Sequence, residues 1–188
     1  MILDLDQLRI AADVVTQGGV IAYPTEAVWG LGCLPWNRDA VYRILDIKLR
    51  PVEKGLVVVG FSEEQFQPIL DPLKPGDRKK MTDTWPGPYT WIIPDPNSWA
   101  PLWVRGMNDS LAVRVSDHPV VRYLCGAIGA PLISTSANGS GEPPLLDQQS
   151  VEQQYTGVVD FIVSGEVGVG IGPTQIRDLI TCRVIRAG

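Results

Sequence analysis

The sequence is nearly without histidine: His118 is the only one. A Ser-His-Asp or Cys-His mechanism would therefore rest on that residue alone. It stands in Ser116-Asp117-His118-Pro119, just ahead of a helical pattern. Ser or Asp is the expected cap there, and His118 reads as a turn residue at the helix start. Cysteine is scarce and odd in number. Cys33, Cys125 and Cys182 lie far apart and form no C-x-x-C pair, which argues against a zinc site or a disulfide framework and for reduced thiols. No H-E-x-x-H, clustered Asp pair or His/Cys set occurs, so no protein-held metal is expected. No G-x-x-x-x-G-K-[ST] occurs either. The glycine tract at 165–172 lacks an adjoining Lys-Ser and a following helix, and reads as a flexible loop rather than a phosphate-binding loop.

Long apolar runs are missing as well. None approaches the length of a membrane span, and residues 1–20 carry Asp4, Asp6, Arg9 and Asp13 rather than a secretory apolar core. A cytoplasmic protein that does not meet a membrane is the expectation. An excess of positive charge is also missing: 16 Lys and Arg stand against 21 Asp and Glu, a formal net charge of −5. That weakens an extended nucleic-acid surface. Two stretches run the other way, 43–54 (Arg43, Lys48, Arg50, Lys54) and 74–80 (Lys74, Arg78, Lys79, Lys80). A local basic pocket in an acidic chain suits a small anionic ligand better than a long polyanion.

What is present is ordinary globular material. Apolar residues make up 45% and charged residues 20% of 188, enough for one well-buried core and one domain, 1–188. Tryptophan is plentiful at six. Trp29, Trp36 and Trp85 lie near Gly or Pro, where they line a groove or simply pack a loop onto the core.

Residues 4–17 read as an amphipathic helix with a capping-box pair, Asp4 and Gln7, ended by Gly18-Gly19. A strand at 20–23 is broken by Pro24. Further helices are expected at 37–48, capped by Asn37, and at about 63–70, 76–84, 119–128 and 148–155. Strands are expected at 56–59, buried on both faces, and at 89–93, 111–115, 131–134, 159–163, 175–180 and 182–186. Interspersed helices and strands indicate an α/β layer structure. The helix-free stretch between Pro86 and Leu111 and the paired terminal strands favour a mixed parallel and antiparallel sheet.

Several polar groups sit at strand ends. Tyr23-Pro24-Thr25-Glu26 follows the first strand, and Gly30 and Gly32 let the backbone bend closely around something. Pro51 disfavours helix at Arg50, so Lys48 and Arg50 are expected on an extended segment, on one side of it. Together they form either a solvated basic turn or a site for phosphate oxygens. Ser134-Thr135-Ser136-Ala137-Asn138 directly follows a buried strand, where α/β proteins tend to bind ligands. Arg114, inside an apolar strand, needs either a protein carboxylate or a ligand anion.

Six segments in order carry a resemblance: YPTEAVWGLG (23–32), KLRPVEKGL (48–56), WPGPYTWIIP (85–94), SLAVRVSDHP (110–119), PLISTSANGSG (131–141) and PTQIRDL (173–179). From about residue 7 onward the chain resembles the YrdC-type family of threonylcarbamoyl-AMP synthases, in its short single-domain branch. The resemblance implies a YrdC-like α/β fold: a twisted mixed sheet with flanking helices and an open ligand groove. It implies a nucleotidyltransfer reaction of L-threonine, bicarbonate or CO2, and ATP, with pyrophosphate released. It implies that other proteins use the adenylate to modify the adenosine beside the anticodon of certain tRNAs, with at most weak tRNA binding by this chain.

The family's K-x-R and S-x-N signature falls on Lys48, Arg50, Ser136 and Asn138. Those four, with Ser110 and Arg186, are implied to hold ATP, and magnesium would arrive on its phosphates. Thr25, Lys54, Arg114, Ser134 and Thr174 are implied to surround threonine, with Arg114 at its carboxylate. Glu26 reads either as a base near the threonine amine or as a loop-closing acceptor. The chain departs from the family at Lys54 (histidine in the longer branch), Thr174 (commonly serine) and Pro144, which has no donor to offer. Two other readings stand beside this one: a non-catalytic RNA-binding module, and a carbamoyl-transfer relative acting on carbamoyl phosphate. The charge balance and the lack of accompanying zinc-finger or acylphosphatase-like segments weigh against them.

Overall fold

The computed structural model describes residues 3–139, 141–170, 172 and 174–187. Ser140, Ile171 and Pro173, which fall within the segments above, lie outside the described residues. In chain order the elements are α1 (Leu5–Thr16), β1 (Ile21–Pro24), β2 (Trp29–Gly32), α2 (Arg38–Ile47), β3 (Val57–Gly60), α3 (Gln67–Leu70), α4 (Pro75–Thr82), β4 (Tyr89–Pro94), α5 (Leu102–Arg105), β5 (Ser110–Val115), α6 (Pro119–Ile128), β6 (Leu132–Ile133), β7 (Thr135–Ser136), α7 (Gln148–Tyr155), β8 (Phe161–Ile162), β9 (Gln175–Asp178) and β10 (Val184–Arg186).

The mixed sheet is present as two sheets. One has the order β7-β2-β1-β8, the other β10-β9-β4-β5-β3-β6. Each combines parallel pairs (β1 with β8; β3 with β5; β4 with β9) and antiparallel ones. The expected strand at 131–134 divides at Ser134: β6 pairs with β3 in the larger sheet, and β7 pairs with β2 in the smaller. The chain thus changes sheets over a single residue, whose N–H donates to the Val57 carbonyl at 2.9 Å.

Period-two alternation explains why short strands suffice. In β3, Val58 joins the larger apolar cluster, which also holds Ile44, Phe66 and Trp91. Its neighbours Val57 and Val59 face the second cluster, formed with Leu8 and Val15 of α1 and Val121 and Leu124 of α6. β1 does the same, with Ala22 on one side and Ile21 and Tyr23 on the other. Each fully buried Leu or Ile contributes about 1.5–3 kcal/mol, so strands buried on both faces are held without long ladders.

Local signals hold where they are local. Asp4 Oδ1 accepts from the Gln7 N–H at 3.1 Å, and Asn37 Oδ1 from the Ala40 N–H at 3.1 Å, each satisfying an orphan donor of a first turn. Four expectations change. Residues 29–32 form β2 rather than a mere bend. The stretch 86–111 contains a short helix, α5. The N-cap of α6 is His118 itself, with no side-chain cap bond; Ser116 Oγ instead accepts its N–H at 3.2 Å. The helix expected at about 63–70 divides into a 3-10 turn, Glu63–Phe66, followed by the short α3, whereas for Trp29 and Trp85 the packing reading holds, since both are buried in the core.

Candidate active site

A recess of about 280 Å³ opens where the chain crosses between the sheets. Its wall includes Thr25, Lys48, Arg50, Arg114, Ser134, Ser136, Asn138, Thr174 and Arg186, nine of the eleven residues expected at the site. Ser110 and Lys54 line an adjoining recess of about 230 Å³, which shares Arg50, Leu56, Val57 and Ile176 with the first. Side chains alternate along a strand, so Ser110, Ala112 and Arg114 lie on one face of β5 and run from one recess into the other. Lys54 is therefore not beside Thr25 and Arg114, as expected. A one-turn 3-10 helix, Val52–Lys54, followed by Gly55 at φ 63°, reverses the chain and leaves Lys54 exposed.

Lys48 and Arg50 reach the recess by a different route from an extended segment. α2 ends in a Schellman turn: Leu49 N–H donates to the Asp46 carbonyl at 3.0 Å and Arg50 N–H to that of Leu45 at 2.9 Å, with Leu49 at φ 48°. Leu49 is expelled to solvent, and the flanking cations turn inward. Buried Lys48 donates to the carbonyl of Ser136, to that of Asn138 at 2.7 Å and to Asn138 Oδ1 at 3.2 Å. Its three protons thus tie α2 to the loop after β7. Ser136 Oγ donates to Asn138 Oδ1 at 2.5 Å, and Asn138 Nδ2 to the Glu142 carbonyl at 2.5 Å. Three of the four signature residues, Lys48, Ser136 and Asn138, are thus joined to one another. Arg50 is braced by the Gly55 carbonyl, at 3.1 Å from Nε and 2.8 Å from Nη2.

On the far wall, Arg114 Nη1 donates to Thr174 Oγ1 at 3.1 Å and Nη2 lies 3.2 Å from Glu26 Oε2. Of the two readings of Arg114, the protein carboxylate is present, and the guanidinium also lines the recess. Arg186 Nη2 donates to the Thr174 carbonyl at 2.7 Å. Thr25 Oγ1 is spent on the Val28 carbonyl at 2.7 Å, closing the β1–β2 turn. The glycine tract is pinned rather than loose. Gly168 N–H donates to the Thr25 carbonyl and Gly170 N–H to that of Glu26, both at 2.9 Å. A Cβ at Gly168 would stand 2.7 Å from the Glu26 carbonyl oxygen.

The electrostatics are lopsided. Burial, and then the neighbouring Arg50, push Lys48 down to about 8, against the pull of Glu142. Burial lowers Arg50 as well. Arg186 is lowered by burial and by the like charges of Arg114 and Arg50. Burial would raise Glu26, but Arg114 and the Ser116 hydroxyl outweigh it and hold the carboxyl below its usual range. Among the described residues, no Asp or Glu lines the recess itself. Cations crowded together in this way are relieved by an incoming polyanion.

Several wall residues carried no signal in the sequence. Ala27, Val28, Leu56, Val57 and Ile176 line the recess with apolar or backbone surface, and such residues read as core until the two sheets are assembled. The second basic stretch, 74–80, is spent elsewhere: Lys79 pairs with Asp83, Lys80 with Asp77 and Arg78 with Glu63.

Residues 13–188 match the Sua5/YciO/YrdC family, described as telomere recombination. A threonylcarbamoyl-AMP synthase of Xanthomonas axonopodis pv. citri is 52% identical over 186 residues, covering 98% of this chain and 97% of the relative. The enzyme of that name from Pseudomonas aeruginosa is 53% identical over 178 residues, 95% of each chain. Among solved structures, E. coli YciO superposes with a TM-score of 0.85 at 26% identity, over 96% of this chain and 88% of that one. P. abyssi Sua5 complexed with L-threonine superposes with a TM-score of 0.84 at 29% identity, over 91% of this chain and 50% of that one. This chain thus spans about half of that longer protein.

Proposed function

The chain belongs to the Sua5/YciO/YrdC family, and from that premise we propose that it carries out the reaction its bacterial relatives are named for. It is an L-threonylcarbamoyladenylate synthase, using L-threonine and ATP and supplying the tRNA threonylcarbamoyladenosine modification. The observation that carries this reading is the cation cluster. Lys48, Arg50, Arg114 and Arg186 converge on one recess with no carboxylate in its wall among the described residues, and they stand among the hydroxyls of Ser134, Thr135 and Ser136.

The chemistry asked of such a site is modest. The threonine amine takes up CO2, supplied as bicarbonate, to form a carbamate. A carbamate oxygen attacks the α-phosphorus of ATP, the bond to the bridging oxygen breaks, and pyrophosphate leaves with the electron pair. Positioning and charge neutralisation are what this step requires. Lys48, Arg50, Ser136, Asn138 and Arg186 hold the triphosphate, with Ser110 beside it in the adjoining recess. Arg114, Thr25, Ser134 and Thr174 surround threonine, and Arg114 takes its carboxylate. Lys54 is assigned with Ser110 to the nucleotide side, since the two share a recess.

Magnesium fits as a passenger of ATP. Among the described residues the recess would offer it only neutral side-chain oxygens, those of Thr25, Ser134, Thr135, Ser136, Asn138 and Thr174, and phosphates with water would supply the remainder of its shell. When bound it neutralises phosphate charge. The adenylate passes to other proteins that act on tRNA. The acidic balance of the chain, −5 overall, supports no more than weak tRNA binding of its own.

Mixing the protein with ATP, threonine and bicarbonate is expected to yield pyrophosphate and a mass-spectrometric signal for threonylcarbamoyl-AMP. Equal pyrophosphate release without threonine or without bicarbonate would overturn the assignment.

A further inference from the structure

Among the described residues, Glu26 is the one carboxylate at ion-pair distance from the cation cluster, and it is largely buried. Its side chain is 14% exposed and that of Arg114 6%. Oε1 accepts the Ser116 hydroxyl at 2.6 Å. Oε2 faces Arg114 Nη2 at 3.2 Å, yet has no hydrogen bond of proper alignment, and Arg114 Nε likewise lacks a partner. The ion pair is close but not saturated. A guanidinium in this position is held by charge at one edge and by Thr174 Oγ1 at Nη1.

Glu26 is fixed from several directions. Its backbone carbonyl accepts the Gly170 N–H, and the preceding carbonyl accepts that of Gly168. Ser116 Oγ, which donates to Glu26, also accepts the His118 N–H at 3.2 Å. So one residue connects the β1–β2 turn, the end of β5 and the glycine tract. The thread continues to Thr174, which Arg114 and Arg186 both contact. A carboxylate so placed is poorly suited to act as a base. It is held below the ordinary carboxylate range, it lies outside the recess wall, and both its oxygens face donors.

We propose that Glu26 is a positioning residue: paired with Arg114, it presents that guanidinium to the carboxylate of threonine and thereby sets selectivity for a free amino acid over analogues that lack the carboxylate. A buried guanidinium kept in one orientation loses little freedom when a ligand carboxylate arrives. Without its partner the same guanidinium keeps only its bond to Thr174 Oγ1 and is free to rotate about it, away from the orientation that meets threonine. The inference rests on the assignment of threonine to the Arg114 side of the recess.

The test compares threonine with L-threoninol, which lacks the carboxylate, as substrates for pyrophosphate release at saturating ATP and bicarbonate. Wild type and Glu26→Gln are both measured, with thermal melts to establish folding. Glu26→Gln is expected to lower the wild-type preference for threonine by about tenfold, the scale of coupling within one polar network. Its KM for ATP is expected to stay within about twofold of wild type, since a partner lost on the threonine side is not shared with the triphosphate. A purely structural role for Glu26 would reduce both substrates together and leave the ratio unchanged, which overturns the proposal. A kcat loss with an unchanged ratio, as for a general base, overturns it too. If Glu26→Gln does not fold, Glu26→Asp, which keeps the charge but draws it back by one methylene, carries the same comparison. Absence of threonine-dependent turnover in the wild type would instead overturn the assigned reaction, and this proposal with it.

Discussion

Lys48 shows how much a single residue can hold at once. Its ammonium satisfies three acceptors in the 136–138 loop while lying against Arg50 in a half-closed recess. Its loss removes a loop anchor and, on the proposed assignment, a phosphate partner as well. Lys48→Ala is expected to slow adenylate formation by about 10²–10³-fold, the cost of losing one preorganised group at developing charge. The lowered Lys48 value of about 8 gives this a pH signature. Below that value the lysine is charged in the free enzyme, and above it the proton is lost and must be regained for an anion to bind. ATP affinity, measured by calorimetry, is therefore expected to weaken as pH rises through about 8. In Lys48→Met it is expected to stay flat over the same window. An equal slope in the two proteins would take Lys48 out of the nucleotide site.

Among the elements, β2 was the least legible from sequence, and its Gly30 lines the recess. Two glycines in four residues argue against a strand by propensity, yet each has its reason in the neighbouring sheet. A Cβ at Gly32 would stand 2.6 Å from Tyr23 Cε1 and 2.8 Å from the Ile133 carbonyl oxygen, at the seam where Tyr23 Oη also donates to that carbonyl at 3.1 Å. At Gly30 the nearest atoms are 3.4 Å or more away, Thr25 Cγ2 and Ser134 Oγ among them, so a methyl fits but protrudes into the recess. Gly32→Ala is expected to lower unfolding stability by about 1–3 kcal/mol in urea denaturation. Gly30→Ala should keep Tm within about 2 °C, as a substitution without clash does, while raising the KM for threonine. If Gly30→Ala instead melts early with unchanged kinetics, the seam and the recess have been assigned to the wrong glycines.

At the scale of the molecule, the two apolar clusters are separated only by strands they share. Cys33 is buried in one and Cys125 in the other, and burial raises both thiols, Cys125 to about 12. Cys182 is exposed. We propose that 1–188 behaves as one cooperative domain, since β1 and β3 supply alternate side chains to both clusters and neither core survives without them. A thiol reagent is then expected to titrate Cys182 alone in the native protein. Cys33 and Cys125 should appear together across a single denaturation transition. Release of Cys125 at lower denaturant than Cys33 would mean that the clusters unfold separately.

The residue pattern alone determined the caps of α1 and α2, the strands buried on both faces, and the segments whose order marks the family, because these depend on neighbours a few positions apart. The resemblance those segments carry also pointed to nine of the residues that the recess brings together. The tertiary structure decided what depends on distant backbone. It divided the sheet at Ser134, turned Gly30 and Gly32 into a strand, and moved Lys54 into the adjoining recess. The absence that first stood out, a chain with one histidine and no catalytic pair, proved consistent with a site built from cations and hydroxyls. Which carboxylate restrains those cations could not be read from spacing. Glu26 and Arg114 are far apart in sequence, and only the packing of the β1–β2 turn against β5 makes them a pair.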